Sequence, residues 1–134
     1  FSRKNEDLAV LSETHRLLRP GGWLLVDVAD GEAVRKNFTS TSWHEVEEDL
    51  VVCREREMAG DRVHAREMVL SKKKGLVRDR NYAIRLYDKK SLTALIGGAG
   101  YAAVKCHTDF SFYESKGDYG FMNHRIFAVG RRPG

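Results

Sequence analysis

The stretch "HRLLRPGGWLLVDVAD", His15 to Asp30, constrains the fold more than any other part of the sequence. It follows on from an amphipathic helix, read from Asp7 to Leu18. Leu8, Leu11 and Leu18, with the pair His15/Val10, form an imperfect apolar stripe along it. Glu6 and Asp7 sit at the positive end of its dipole, Arg16 and Arg19 at the negative end. Pro20 stops the helix and Gly21-Gly22 supply a turn. Trp23 to Ala29 is then a nearly unbroken apolar run. Such a run does not alternate, so it reads as a strand covered on both faces. A helix, a glycine turn and a doubly covered strand together predict a layered α/β architecture.

The rest of the composition narrows the class. A chain of 134 residues is long enough for a single domain, 1–134, around one core. With 42% hydrophobic and 31% charged residues, it reads as globular rather than disordered. The net charge of +4 is mild and scattered, and Lys72-Lys73-Lys74, the one true basic run, is expected in a solvated turn. Nucleic acid is therefore not the favoured partner. No apolar stretch approaches the ~20 residues of a membrane span, and no membrane partner is expected. The sequence begins at Phe1, so its natural start is expected to lie upstream. Cys53 and Cys106 show neither metal nor redox spacing. They are expected as buried, reduced thiols, which fits a cytoplasmic protein. The five histidines lack metal-ligand spacing; His107 and His124 are placed to meet across a terminal hairpin, too few ligands for zinc, so no metal site is expected.

The middle of the chain has a different period. Asp49 to Met58 and Arg62 to Leu70 alternate apolar or small residues with charges around Gly60-Asp61. A two-residue turn there sets Val52 opposite Val69, Cys53 opposite Met68, Arg54 opposite Glu67, Glu55 opposite Arg66 and Met58 opposite Val63. A slip of one residue would set Arg54 against Arg66. A third strand, roughly 76–87, completes an antiparallel meander with one solvated side. Asp88 to Ala99 reads as a second helix, capped by Asp88 and ended by Gly97-Gly98 and Gly100. "YAAVKCHTDF" and "HRIFAVGRR" read as two further strands, joined by the aromatic-rich loop 111–122.

In this order the segments resemble class I S-adenosylmethionine-dependent methyltransferases. "EDLAVLSETHRLLRPGGWLLVDVAD" resembles the stretch of that family from the fourth helix region into the fifth strand. "RLYDKKSLTALIGGAGYAAVKC" resembles its last helix and sixth strand, and "HRIFAVGRRPG" its closing antiparallel seventh strand. Residues 38–87 resemble a substrate-side β insertion found in a subset of these enzymes. The resemblance implies an α/β fold, α+β as a fragment: the C-terminal part of a Rossmann-like seven-stranded sheet plus the meander.

The family holds its cofactor with a glycine turn after the first strand and an acid after the second, by the logic of dinucleotide sites. Neither motif is in this sequence. The two glycine clusters, Gly21-Gly22 and Gly97-Gly98-Ala99-Gly100, read as turn chemistry. The resemblance therefore implies only the C-terminal half of a methyltransferase, with S-adenosylmethionine bound in the intact enzyme and not by this chain alone. The fifth strand would keep the seventh as a neighbour and lose the fourth. Its free edge implies a homodimer through strand 23–29 about a two-fold axis, unless the first helix swings over to cover it.

Methyl transfer requires chiefly that the acceptor be positioned in line, so no residue type is obligatory and no catalytic residue follows from spacing. Ligands in open α/β sheets sit at the carboxyl ends of parallel strands. By that rule the resemblance makes Asp27 and Asp30 candidates to line the acceptor side, although Asp30-Gly31 also reads as a plain turn and Asp27 as a backbone cap. Trp43, Arg85 and Tyr87 on the insertion, and Asp109 and Tyr113 after the sixth strand, are further substrate-binding candidates beside Phe110; aromatic residues at such places also serve as packing. The expected acceptor is a small molecule. A non-catalytic binding or dimerisation module and a part of an RNA methyltransferase are the competing readings.

Overall fold

The two periods read from the sequence correspond to two sheets. The computed structural model describes residues 4–110 and 124–134. The elements run α1 (Lys4–Leu17), β1 (Trp23–Ala29), α2 (Gly31–Lys36), β2 (Thr41–Val46), β3 (Leu50–Ala59), β4 (Arg62–Ser71), β5 (Gly75–Arg85), α3 (Lys89–Gly98), β6 (Ala102–Phe110) and β7 (Arg125–Arg131). One sheet has the order β1-β7-β6 and the other β2-β3-β4-β5. All the strand pairs are antiparallel.

The expected register of the meander is the observed one. Val52 faces Val69, Arg54 faces Glu67, Glu55 faces Arg66 and Met58 faces Val63 across the β3–β4 hairpin. Gly60 turns it at φ +63°, a conformation in which any Cβ is strained. The meander has a fourth strand, β2, that the sequence pattern did not disclose. The six-residue helix α2 stands where only a turn was expected.

The main core lies between the three-stranded sheet and α3. Leu24, Val26 and Val28 of β1, with Ile126 and Ala128 of β7, pack against Leu92, Leu95 and Ile96. Leu11 of α1 and Tyr101 close one end, where the Tyr101 hydroxyl donates to the Leu11 carbonyl at 3.0 Å. Asp88 and Ser91 form a reciprocal capping box at the start of α3. That contact holds the Asp88 carboxyl below its ordinary value, chiefly through the Ser91 backbone N–H.

Four expectations need correction. The first strand is not covered on both faces: Trp23 is 58% and Leu25 66% exposed, while Leu24, Val26 and Val28 are buried. An apolar run reports that both faces are fit for burial; it does not report that the covering layer is present. The apolar stripe of α1 buries Leu11 and packs Leu18 against the core, whereas Leu8 and Val10 are exposed. Cys53 and Cys106 are free but only half-buried. His107 lies opposite Phe127 rather than His124.

The edge of β1 is as expected. The strand pairs with β7 on one side and has no other strand beside it among the described residues. No helix is long and apolar enough to cross a membrane among the described residues.

Candidate functional site

The carboxyl end of β1 and the exit of the meander are fastened to each other. Asp30 forms a parallel bridge with Tyr87, and the Gly31 N–H donates to the Tyr87 carbonyl at 2.8 Å. Gly31 is required by this approach. A Cβ there would lie 2.8 Å from Leu86 Cβ and 3.0 Å from the Tyr87 carbonyl oxygen. The Asp30 carboxylate accepts from the backbone of Glu32 and Ala33 at 3.1 and 3.3 Å, and so caps α2.

Beside this junction lies a cleft of about 560 Å³. Its polar lining includes Arg35, Asp61, Arg85 and Asp88, and its apolar walls include Leu8 of α1 and Leu95 of α3. Arg85 is ion-paired to Asp61 through Nη1. The Arg85 Nε is buried and has no hydrogen-bond partner among the described residues. Tyr87 contributes to the lining, yet its hydroxyl turns inward and donates to Asp7 Oδ2 at 2.5 Å. Asp7 is 2% exposed. Burial, and then the Asp7 carboxylate, push the Tyr87 hydroxyl well above its ordinary value, so it stays a neutral donor.

The sequence candidates fall in several places. Arg85 and Tyr87 line the cleft, and Asp30 is joined to Tyr87 through its backbone. Asp27 points to the open face of β1 and pairs with Arg125 at 2.8 Å. Trp43 is exposed on β2, opposite Cys53. Asp109 belongs to β6, and its side chain and Tyr113 lie outside the described residues. Asp7, Arg35, Asp61 and Asp88 join the site without having been singled out for it. Asp7 and Asp88 were visible as helix-end acids, but nothing local pointed to a shared cleft.

The Arg85–Asp61 ion pair, with Arg35 and Asp88 also in the lining and apolar walls around them, suits a small polar ligand that can exchange hydrogen bonds with carboxylates and guanidinium groups. No group of three metal-ligating side chains occurs among the described residues. The junction of β1, Gly31 and α2 is the strand–glycine–helix turn at which a cofactor cradle would be sought. Leu86 and Tyr87 fill the space over Gly31, so that turn does not fit a cofactor.

No protein-family model matches the chain, and no curated protein matches it. Solved structures do. Over 98% of its length the chain is similar to 51% of the CcbJ methyltransferase from Streptomyces caelestis, with a TM-score of 0.73 and 21% identity. The fold is that of about half an S-adenosylmethionine-dependent methyltransferase. An S-adenosylmethionine-dependent methyltransferase from Clostridium acetobutylicum matches with a TM-score of 0.71 and 10% identity, over 53% of its own chain. CalS10 from Micromonospora echinaspora, an amino pentose methyltransferase solved with S-adenosylmethionine bound, matches at 0.52 and 17%, over 52% of its chain. The chain thus spans about half the length of the methyltransferase structures it matches.

Proposed function

We propose that this chain is the C-terminal, acceptor-side half of a methyltransferase acting on a small polar molecule. The observation that carries this reading is the cleft beside the Asp30–Tyr87 bridge, at the carboxyl end of a strand whose other edge is open. In the whole enzyme S-adenosylmethionine belongs to the half with strands one to four, and this half orients the acceptor. The names of the similar structures, one an amino pentose methyltransferase, support a small-molecule acceptor. Residues 38–87 then form the acceptor-side insertion of one domain, and two free thiols suit a reducing compartment such as the cytoplasm.

Calorimetric titration with S-adenosylmethionine tests the reading. The 134-residue chain alone takes up none, and the chain joined to a polypeptide supplying the first four strands binds it and methylates. Binding by the chain alone overturns the division of labour.

The open edge of β1 favours a second property for the isolated chain: two copies meet along strand 23–29 as a homodimer. Sedimentation equilibrium showing a monomer at high concentration removes that reading.

A further inference from the structure

One rung of the meander carries more positive charge than its fold requires. Ser42, Arg54, Glu67 and Arg80 are direct cross-strand partners on β2, β3, β4 and β5, so their side chains share one face. Arg78, two residues before Arg80, emerges on the same face. Arg54 Nε donates to Glu67 Oε2 at 3.0 Å, and both side chains are nearly buried. Arg78 Nη2 and Arg80 Nη2 both approach the other oxygen, Oε1, at 3.2 and 3.4 Å.

One buried carboxylate needs one guanidinium, and Arg54 already supplies it. Among the described residues, three guanidinium groups gather on the one Glu67 carboxylate, and neither Arg78 nor Arg80 pairs with another acid there. The two added arginines are not buried: each side chain is 54% exposed. Each spends one nitrogen on Glu67, and Arg80 also lies over the Tyr82 ring at 5.4 Å. With each side chain about half exposed, solvent reaches these arginines, and a guanidinium is a planar fork that fits phosphate oxygens two at a time. The Ser42 hydroxyl, on the same rung, is buried with no hydrogen-bond partner among the described residues. Glu67 itself positions the arginines. Although burial opposes its charge, the arginines together hold its carboxyl below the ordinary range, so it remains an anchor at neutral pH.

We propose that Arg78 and Arg80, braced by Glu67 and Arg54, bind the phosphate group of a small molecule. The site lies on the meander, five residues along β5 from Arg85, about 17 Å in an extended strand, and the odd spacing puts it on the opposite face of the sheet from Arg85. It is therefore separate from the cleft, and the proposal does not rest on the methyltransferase reading.

Calorimetric titration of the 134-residue chain with pyrophosphate and with methyl phosphate, at ionic strength fixed with potassium chloride, tests the proposal. The wild-type chain binds, Arg78→Gln and Arg80→Gln each weaken binding at least tenfold, and Arg80→Lys, which keeps the charge without the fork, recovers only part of it. Circular dichroism confirms that these surface variants fold. The proposal is overturned if the double variant binds as well as wild type, or if neither phosphate binds better than chloride. It is equally overturned if a short single-stranded RNA binds through these arginines with a steep salt dependence while the small phosphates do not, which would assign the face to nucleic acid.

Discussion

The Tyr87 hydroxyl donates to the carboxylate of Asp7, and this one buried contact ties the exit of the meander to the first helix. The two residues lie 80 positions apart in the chain. Tyr87→Phe keeps the ring and removes the donor, leaving a buried carboxylate without its partner. The expected loss of stability is about 3 kcal/mol. Urea unfolding checks it, and Asp7→Asn combined with Tyr87→Phe is expected to recover part of the loss.

The same contact has an alkaline limit. Because folding raises the Tyr87 value above its ordinary 10.0, its contribution is complete below that pH and is lost as the pH climbs further. Unfolding curves taken above pH 10 are expected to show the wild type approaching the Phe variant. A constant gap between them would show that the tyrosine has the same value in the folded and the unfolded chain.

Glu67 sets an acid limit of opposite sign. Folding lowers its value below 4.5, so its contribution is present above that pH and fades as the pH falls. Glu67→Gln removes the charge that Arg54, Arg78 and Arg80 share, and is expected to cost about 3 kcal/mol at pH 7. The difference from wild type should shrink toward pH 3, as measured by thermal unfolding.

Gly31→Ala tests the junction that shapes the cleft. The new methyl group meets Leu86 Cβ and the Tyr87 backbone rather than a flexible side-chain end. A loss of about 2 kcal/mol is expected from overpacking. Gly60→Ala, where nothing lies within 4 Å, suffers from its positive φ alone and should cost about 1 kcal/mol.

Leu25→Lys places a charge on the open face of β1. Leu25 is exposed, so monomer stability should change by less than about 0.5 kcal/mol. Self-association along that strand should fall, as sedimentation velocity would show; unchanged association would move the contact elsewhere.

Much of the architecture was legible because it was written locally. The alternation of charge in 49–70 admits one hairpin register, and the Arg54–Glu67 and Glu55–Arg66 pairs are cross-strand neighbours. Pro20, Gly21 and Gly22 marked the entry to β1, and Asp88 the start of α3. What stayed hidden depends on partners far away in sequence or not in it. "TSWHEV" forms β2 because β3 offers it an edge. The exposed side of β1 reads as core because apolar residues do not say who covers them. The cleft residues Arg35, Asp61 and Asp88 lie on segments joined only by the tertiary fold. Asp30 caps a helix where a plain turn was expected, and that geometry accounts for its carboxylate.

The pairing of β1 with β7 also sets the order in which the protein can be made. Asp27 waits for Arg125, 98 residues later, whereas β3 meets β4 across a two-residue turn. In a 134-residue chain folding by itself, the meander can close while the strand that leads into the cleft still waits for β7, and its apolar run is the segment most in need of a chaperone during that interval.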